Sequence, residues 1–468
     1  MTAPVAVGRV LPTMNEDGSR RWIRPKPSHG VFFRRRLVVA YVLMAIFLTI
    51  PHLRMAGKPL VLLDLPRREF TLFGVTFLPT DTLLLMLLVA SILITIFLLT
   101  ALFVRVWCGW GCPQTVYMEF VFRPIERLLE GGRAGSIRLD REHARAQLHP
   151  RRLMKYVIYL AISLILAHTF LAYFVGTEQL ALWVTRSPVE HPTSFAIMAL
   201  TTGAILFDFT WFREQTCIVA CPYGRMQSAL LDRQSLIVAY DARRGEPRAK
   251  GKVRPAGSGD CIDCDACVHT CPTGIDIRDG LQMECIHCTQ CADACDEVME
   301  RVGKPKGLVR YSSRAGLAGE RVHKLRPRTV LYPAALALSL GGFVVVLETK
   351  SAADITVLRG LGAPYTVEAD GRIANQLRVK IANRSHGDRA YVVRVRGAEE
   401  GTVVVPQTPF PVPQGRTLTT PVFVLLPQSA FLAGEHSVVI IVEDASGFRD
   451  SVVYRLVGPE HSLVPDAP

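Results

Sequence analysis

CIDCDACVHTCP, residues 261–272, and CIHCTQCADACD, residues 285–296, are the two stretches around which the chain is organised. Each half reads C-x2-C-x2-C-x3-C, a spacing that holds iron–sulfur cubes through thiolates. Three thiolates set two residues apart can wrap three corners of one cube, while their backbone amides turn inward to its sulfides. The fourth cysteine lies too far along to close the same cube and serves the other one. The reading is therefore two crossed sets: Cys261, Cys264 and Cys267 with Cys295, and Cys285, Cys288 and Cys291 with Cys271, each for one four-iron cluster. Paired C-x2-C motifs also bind zinc, but zinc ribbons set two pairs across a longer gap and lack the third and fourth cysteines. Two clusters bridged by crossed ligands lie close together, which suits one-electron hopping.

The other cysteines follow the same economy. All 12 in the 468-residue chain fall into regular spacings, the last four as C-x-x-x-C-P pairs: Cys108 with Cys112, and Cys217 with Cys221. A chain of this size needs no disulfides, so the clustering points to metal or redox chemistry. On a helix, residues i and i+4 share a face, so each pair offers two sulfurs to one ligand. Proline after the second cysteine marks a break or a new helix start. Each pair follows an apolar segment and precedes an amphipathic one (Tyr117–Leu129, Met226–Leu236), which reads as a duplicated helix–cysteine–helix unit. Four converging soft thiolates suit copper(I), zinc or iron–sulfur. The expectation is a copper-handling site on Cys108, Cys112, Cys217 and Cys221, with buried, reduced packing thiols as the plain alternative. No C-x-x-C-H offers a haem attachment, and no G-x-G-x-x-G after a strand offers a dinucleotide site.

Five apolar segments have bilayer-spanning length: Leu37–Leu53, Thr80–Val104, Tyr156–Val175, Phe195–Phe212 and Thr329–Leu347. The net charge of +13 crowds the flanks of these segments rather than a patch interleaved with aromatics, which argues for a lipid bilayer and against nucleic acid. The loop Arg105–Lys155 is rich in arginine, whereas Gly176–Ser194 carries only Arg186. By the positive-inside rule, the N-terminus and the cysteine-rich insert are then cytoplasmic, and the C-terminal region is outside. The loop with Arg54, Lys58, Arg67 and Arg68 is the one dissenting feature. The polar, arginine-rich first 36 residues do not suit a cleaved signal peptide, and the segment is expected to be retained. His52, His168 and Asp208 read as satisfied polar groups before ligands, with pairing to a nearby arginine such as Arg213 an equal reading for Asp208. His269 and His287 read as neighbours that tune a cluster. From Ser351 onward, short alternating runs such as Gln376–Ala382, Ala390–Arg396, Thr402–Pro406, Thr420–Leu426, Ser437–Glu443 and Ser451–Leu456 predict strands of an immunoglobulin-like β-sandwich.

The fold class that follows is a multi-domain membrane protein, a five-helix transmembrane domain with a ferredoxin-like di-cluster insert and a C-terminal immunoglobulin-like β-sandwich. Its expected parts are a cytoplasmic segment 1–36, four spans over 37–213, a cytoplasmic region 214–328 with the insert at about 255–300, a fifth span 329–348 and a periplasmic domain 349–468. In the run WCGWGCPQT from Trp107, the run C-x-x-x-C-P-Y-G-R-x-Q from Cys217, the twin cluster motifs and the β-rich tail, the chain resembles the CcoG family. This family is also called FixG or RdxA, and comprises accessory proteins of the cbb-type cytochrome c oxidase. The membrane polyferredoxins of nitrate and nitrous oxide respiration share the C-x-x-x-C-P units but lack the tail. Asp296 stands where proline often follows the fourth cysteine, a departure that bears on Cys295. The resemblance implies a protein of the bacterial cytoplasmic membrane that helps to assemble the oxidase by reducing copper(II) to copper(I), with two 4Fe–4S clusters. Its partners would be oxidase subunits or copper-delivery factors, and an electron donor that the sequence does not name. A subunit passing quinol electrons to a periplasmic reductase, and a non-redox scaffold, are the alternatives.

Overall fold

The computed structural model describes residues 11–459 except 16, 56, 67, 78–80, 144–148, 230, 252–253, 322–325, 350, 386 and 432. The start of the N-terminal segment, Arg67, Thr80 and part of the second amphipathic segment therefore lie outside the described residues. Two compact units emerge, residues 1–343 and 344–468.

In the first unit, runs of leucine, isoleucine and valine without breakers produce long helices. Four helices are long and apolar enough to cross a membrane: Thr82–Phe103, Pro150–Val175, Pro192–Phe212 and Pro327–Glu348, with mean hydropathies of 2.9, 2.0, 1.6 and 2.2. Large apolar side chains such as Leu83, Met86, Ile92, Leu331 and Leu338 are exposed on them, an arrangement that suits lipid rather than water. The hydroxyls of Ser91 and Ser339 are 2.9 Å apart, the kind of polar contact that joins helices in a bilayer. The first expected span falls on a helix, Val31–Thr49, followed by a turn at Ile50–His52. Arg34, Arg35 and Arg36 occupy its early turns, so the apolar part, Leu37–Thr49, is short of the ~20 residues that a bilayer needs. The loop after it is more ordered than its sequence suggested, with a three-stranded antiparallel sheet of Val61–Asp64, Glu69–Leu72 and Val75–Phe77.

The duplicated unit of the sequence is also a duplicated backbone. Helix Thr82–Phe103 ends at Val104 with φ +51°, and the turn Asp208–Phe212 ends at Arg213 with φ +54°. Each is the fourth residue before a cysteine pair. A left-handed β-branched residue is strained by roughly 1–3 kcal/mol, and such strain persists only where the surroundings dictate it. Cys112 and Cys221 are then extended, and Pro113 and Pro222 open the next helices, where a missing N–H costs nothing.

The second unit is β-rich, with two antiparallel sheets. One orders Thr402–Val404, Thr417–Leu426, Ile373–Asn383 and Ala353–Arg359, with Thr366–Val367 also paired to Ile373–Asn383. The other orders Phe410–Val412, Arg389–Arg396, Glu435–Asp444 and Arg449–Val457. Alternate residues Ile373, Leu377, Val379 and Ile381 of the first share one core with Tyr391, Val393, Val438 and Ile440 of the second. The strands Ala353–Arg359, Thr366–Val367 and Phe410–Val412 escaped the pattern reading.

Candidate metal centre

Each cluster motif is shaped by a pair of left-handed residues around its second cysteine. Asp263 and Asp265 have φ +51° and +58°, and His287 and Thr289 have +53° and +60°. Alternation of left- and right-handed residues aims successive amides at one point and forms an anion-binding nest. The first turn is pinned by Arg278, which donates to Asp263 at 2.7 Å, Asp265 at 2.7 Å and Asp276 at 2.6 Å. The second is held by the Tyr311 hydroxyl, which donates to the His287 carbonyl at 3.0 Å. Helix Gln290–Arg301 then carries Cys291 and Cys295.

These turns sort the thiols into groups. Cys271, Cys285, Cys288 and Cys291 all lie within electrostatic reach of one another. Cys295 is within reach of Cys261, Cys264 and Cys267, and Cys267 is also within reach of Cys291. Cys261, Cys267, Cys285, Cys288 and Cys295 are buried, whereas Cys264 is exposed.

The residues fit a cluster better than a single ion. Cys267, Cys271, Cys285, Cys288 and Cys291 line one small cavity of about 20 Å³, walled by Val238, Ile275 and Ile277. Among the described residues, no group of three or more His, Cys, Asp or Glu draws close enough to hold one metal ion. A cube spreads its thiolates around a body larger than a single ion. Burial is the largest cause of the high thiol values, with Cys267, Cys285 and Cys295 pushed up to about 12 and Cys288 to about 11. Thiols so placed ionise only against a cation, and iron supplies one. His287 is buried, and burial followed by Arg105 holds its imidazole down to about 3, hence neutral.

The membrane-side pairs meet this centre directly. Cys108, Cys112, Cys217 and Cys221 are mutually within electrostatic reach, and each is half-buried. Gly109 lies so close to the second motif that a Cβ there would stand 2.6 Å from the Ile286 carbonyl oxygen and 2.8 Å from the Cys288 backbone. The Trp110 indole donates to Tyr311 at 3.0 Å, and Arg36 donates to the Gly109 carbonyl at 2.8 Å.

Sequence reasoning missed the buried ions that support these loops. Glu126 accepts from Arg213 at 3.0 and 3.2 Å and also pairs with Arg24 and Lys155. Arg123 pairs with Glu119 and donates to the Pro272 carbonyl at 3.2 Å; Gln290 donates to Glu119 at 2.9 Å. The helical segment Pro113–Glu130 is thereby tied to the residues flanking Cys271 and Cys291. The expected Asp208–Arg213 pair does not form: Asp208 accepts from the Thr216 hydroxyl, and Arg213 turns to Glu126, a fuller partner in a dry site. His168 bonds the Leu164 carbonyl of its own helix at 2.8 Å. A run of charges beside cysteine motifs and apolar segments was the available signal.

Family models match three stretches: a 4Fe–4S dicluster domain at residues 212–314, a 4Fe–4S binding domain at 85–131, and an IG-like fold at the C-terminus of FixG at 343–459. Protein RdxA of Cereibacter sphaeroides is 38% identical, spanning 80% of this chain and 82% of that protein. Protein RdxB of the same organism is 35% identical, over 87% and 89%. Nitrogen fixation protein FixG of Rhizobium meliloti is 32% identical, over 92% of each. With iron–sulfur domains beside apolar helices and a matched C-terminal domain, the chain belongs to the FixG/RdxA family and is a multi-pass membrane iron–sulfur protein of electron transport.

Proposed function

We propose that this protein passes single electrons through two 4Fe–4S clusters to copper(II), giving copper(I) for insertion into a cbb-type cytochrome c oxidase. The observation that carries the reading is the pair of abutting thiol sets, joined where Cys267 reaches Cys291, within a matched dicluster domain. Cys261, Cys264, Cys267 and Cys295 would hold one cluster, and Cys271, Cys285, Cys288 and Cys291 the other; bound there, each supplies one-electron redox chemistry. The protein's own part is to fix the thiols, hold the amide nests around them and bury Cys261, Cys267, Cys285, Cys288 and Cys295, with Cys264 the exposed corner. The accessory role in oxidase assembly rests on the family resemblance carried by the C-x-x-x-C-P runs, the twin cluster motifs and the β-rich tail. Copper(II) takes up one electron and stays bound most firmly by soft ligands as copper(I).

The test is anaerobic. Protein reduced chemically and freed of reductant is mixed with copper(II) and a chelator that colours only with copper(I). Expected is about one copper(I) per reduced cluster, and a large loss in Cys264→Ser. Clusters that stay reduced beside copper(II) would remove copper as the acceptor and favour the reading in which quinol electrons go to a periplasmic reductase. Clusters that no mild reductant reaches would favour a scaffold.

The helix Val31–Thr49 completes a five-span topology in this proposal, because Arg36 is fully buried against protein rather than facing lipid. The N-terminus and the clusters are then cytoplasmic, and the C-terminal domain, of immunoglobulin-like sandwich form, is periplasmic. A reporter fused after Pro468 should be active only when exported, and one inserted near Gly257 only in the cytoplasm; the opposite pattern would remove one span from the count.

A further inference from the structure

Cys108, Cys112, Cys217 and Cys221 belong to neither of the two clusters, yet the fold takes trouble to assemble them. Two strained turns of like geometry, at Val104 and Arg213, deliver one C-x-x-x-C-P pair each. The pairs interlock: the Cys108 thiol lies 3.4 Å from the side-chain oxygen of Gln227, beyond the other pair, and Gln227 donates back to the Val104 carbonyl at 3.1 Å. The four thiols lie within electrostatic reach of one another, and no three of them close to the spacing of a single ion. Thiolates around a cube stand farther apart than the ligands of one ion.

The surroundings ask for a negatively charged occupant. Arg105 is only 5% exposed; it bonds the carbonyls of Cys285 and Gly224, and so stands between the second thiol set and the membrane-side set. Its Nε has no hydrogen-bond partner among the described residues, and its charge lies within reach of the Cys108 thiol. Buried guanidinium groups with unfilled N–H donors are costly unless an anion lies near. Four thiolates around a 4Fe–4S core make such an anion. The matched 4Fe–4S binding domain at 85–131 contains Cys108 and Cys112 alone, which is half of the ligands that a cube takes.

We propose that Cys108 and Cys112 with Cys217 and Cys221 hold one further 4Fe–4S cluster, the third in the chain, with Arg105 bridging it to the second. The inference rests on the reading above that the dicluster carries electrons. It extends the line of carriers from exposed Cys264, through the two crossed sets, to the ends of the apolar helices. Copper(II) would then meet the end of this line as substrate and would not reside on the four thiols.

The experiment is iron, acid-labile sulfide and copper analysis of the full chain purified anaerobically in detergent, with low-temperature EPR of the reduced protein. About twelve irons are expected for wild type. Cys108→Ser with Cys217→Ser should fall to about eight, losing one spectral component and keeping the dicluster signals. Cys264→Ser, which touches only the first set, should lose a different component, so that misfolding and ligand loss are told apart. About eight irons in wild type, unchanged in the double variant, would overturn the third cluster and leave the dicluster reading intact. One copper per chain, lost in the double variant, would overturn it in favour of a copper site. No iron in any form would overturn both readings.

Discussion

Glu126→Ala should cost the membrane unit about 3–5 kcal/mol, the scale found when one partner of a buried ion network is removed. Glu126 is almost wholly buried, and it joins Arg213 on one side to Arg24 and Lys155 on the other. Burial opposes its charge, but Arg213, Arg24 and Lys155 outweigh that cost and hold its carboxyl well below the usual 4.5. Removing it leaves three cations in a dry site with one neutralising group fewer. The check is thermal unfolding in detergent, followed by intrinsic fluorescence. Glu126→Gln, which keeps the hydrogen-bonding shape and loses the charge, should fall between the two. The pH dependence has a definite sign. A carboxyl with a depressed folded value contributes its full stability above the unfolded value of about 4.5, and loses it as pH falls below that toward the folded value. The deficit of Glu126→Ala should therefore be constant from pH 7 to about 5 and shrink in stronger acid. A variant that melts with wild type at pH 7 would mean that the network is energetically neutral.

Gly109→Ala should be nearly as damaging, through geometry and not charge. The added Cβ would meet the Ile286 carbonyl oxygen at 2.6 Å and the Cys288 backbone at 2.8 Å. Backbone cannot swing aside as a long side chain can, so the two motifs must part. Overpacking of this kind costs about 1–3 kcal/mol, and here it falls on the loop that presents Cys288. The expected result is a lower melting temperature together with loss of about four irons, those of the second set. Gly224→Ala is the comparison, since its Cβ would reach the Cys217 carbonyl oxygen only at 3.4 Å and should be tolerated. Equal behaviour of the two variants would show that the close approach at Gly109 does not position the second set.

Much of this was legible because cysteine spacing is a covalent ruler. The three-residue gap before Cys271 and before Cys295 is what suggested that each serves the other set, and in the fold Cys271 lies within electrostatic reach of Cys285 and Cys295 of Cys261. Apolar length foretold five spans, and four of them fall on helices long and apolar enough to cross a membrane, since hydropathy acts on a whole segment and tolerates local error. The first helix was harder, because Arg34–Arg36 sit inside it and the pattern alone does not say that Arg36 turns inward to a carbonyl. The ion network was illegible for a related reason: Glu126 and Arg213 are far apart in sequence, and nothing local marks either as buried. The short strand Phe410–Val412 carries too few residues to show alternation, and pairing with Arg389–Arg396 makes it a strand.

The twin left-handed turns at Val104 and Arg213 have one more implication. A single helix–cysteine–helix module brings two sulfurs, half of a coordination sphere. If such modules sat on separate molecules, the site would exist only as an association complex, and dilution in the bilayer would take it apart by mass action. Two modules on one chain make closure an intramolecular event, whose effective concentration is set by the tether and not by expression level. A centre held by these four thiols would thus be complete in every copy, however sparse the protein is in its membrane.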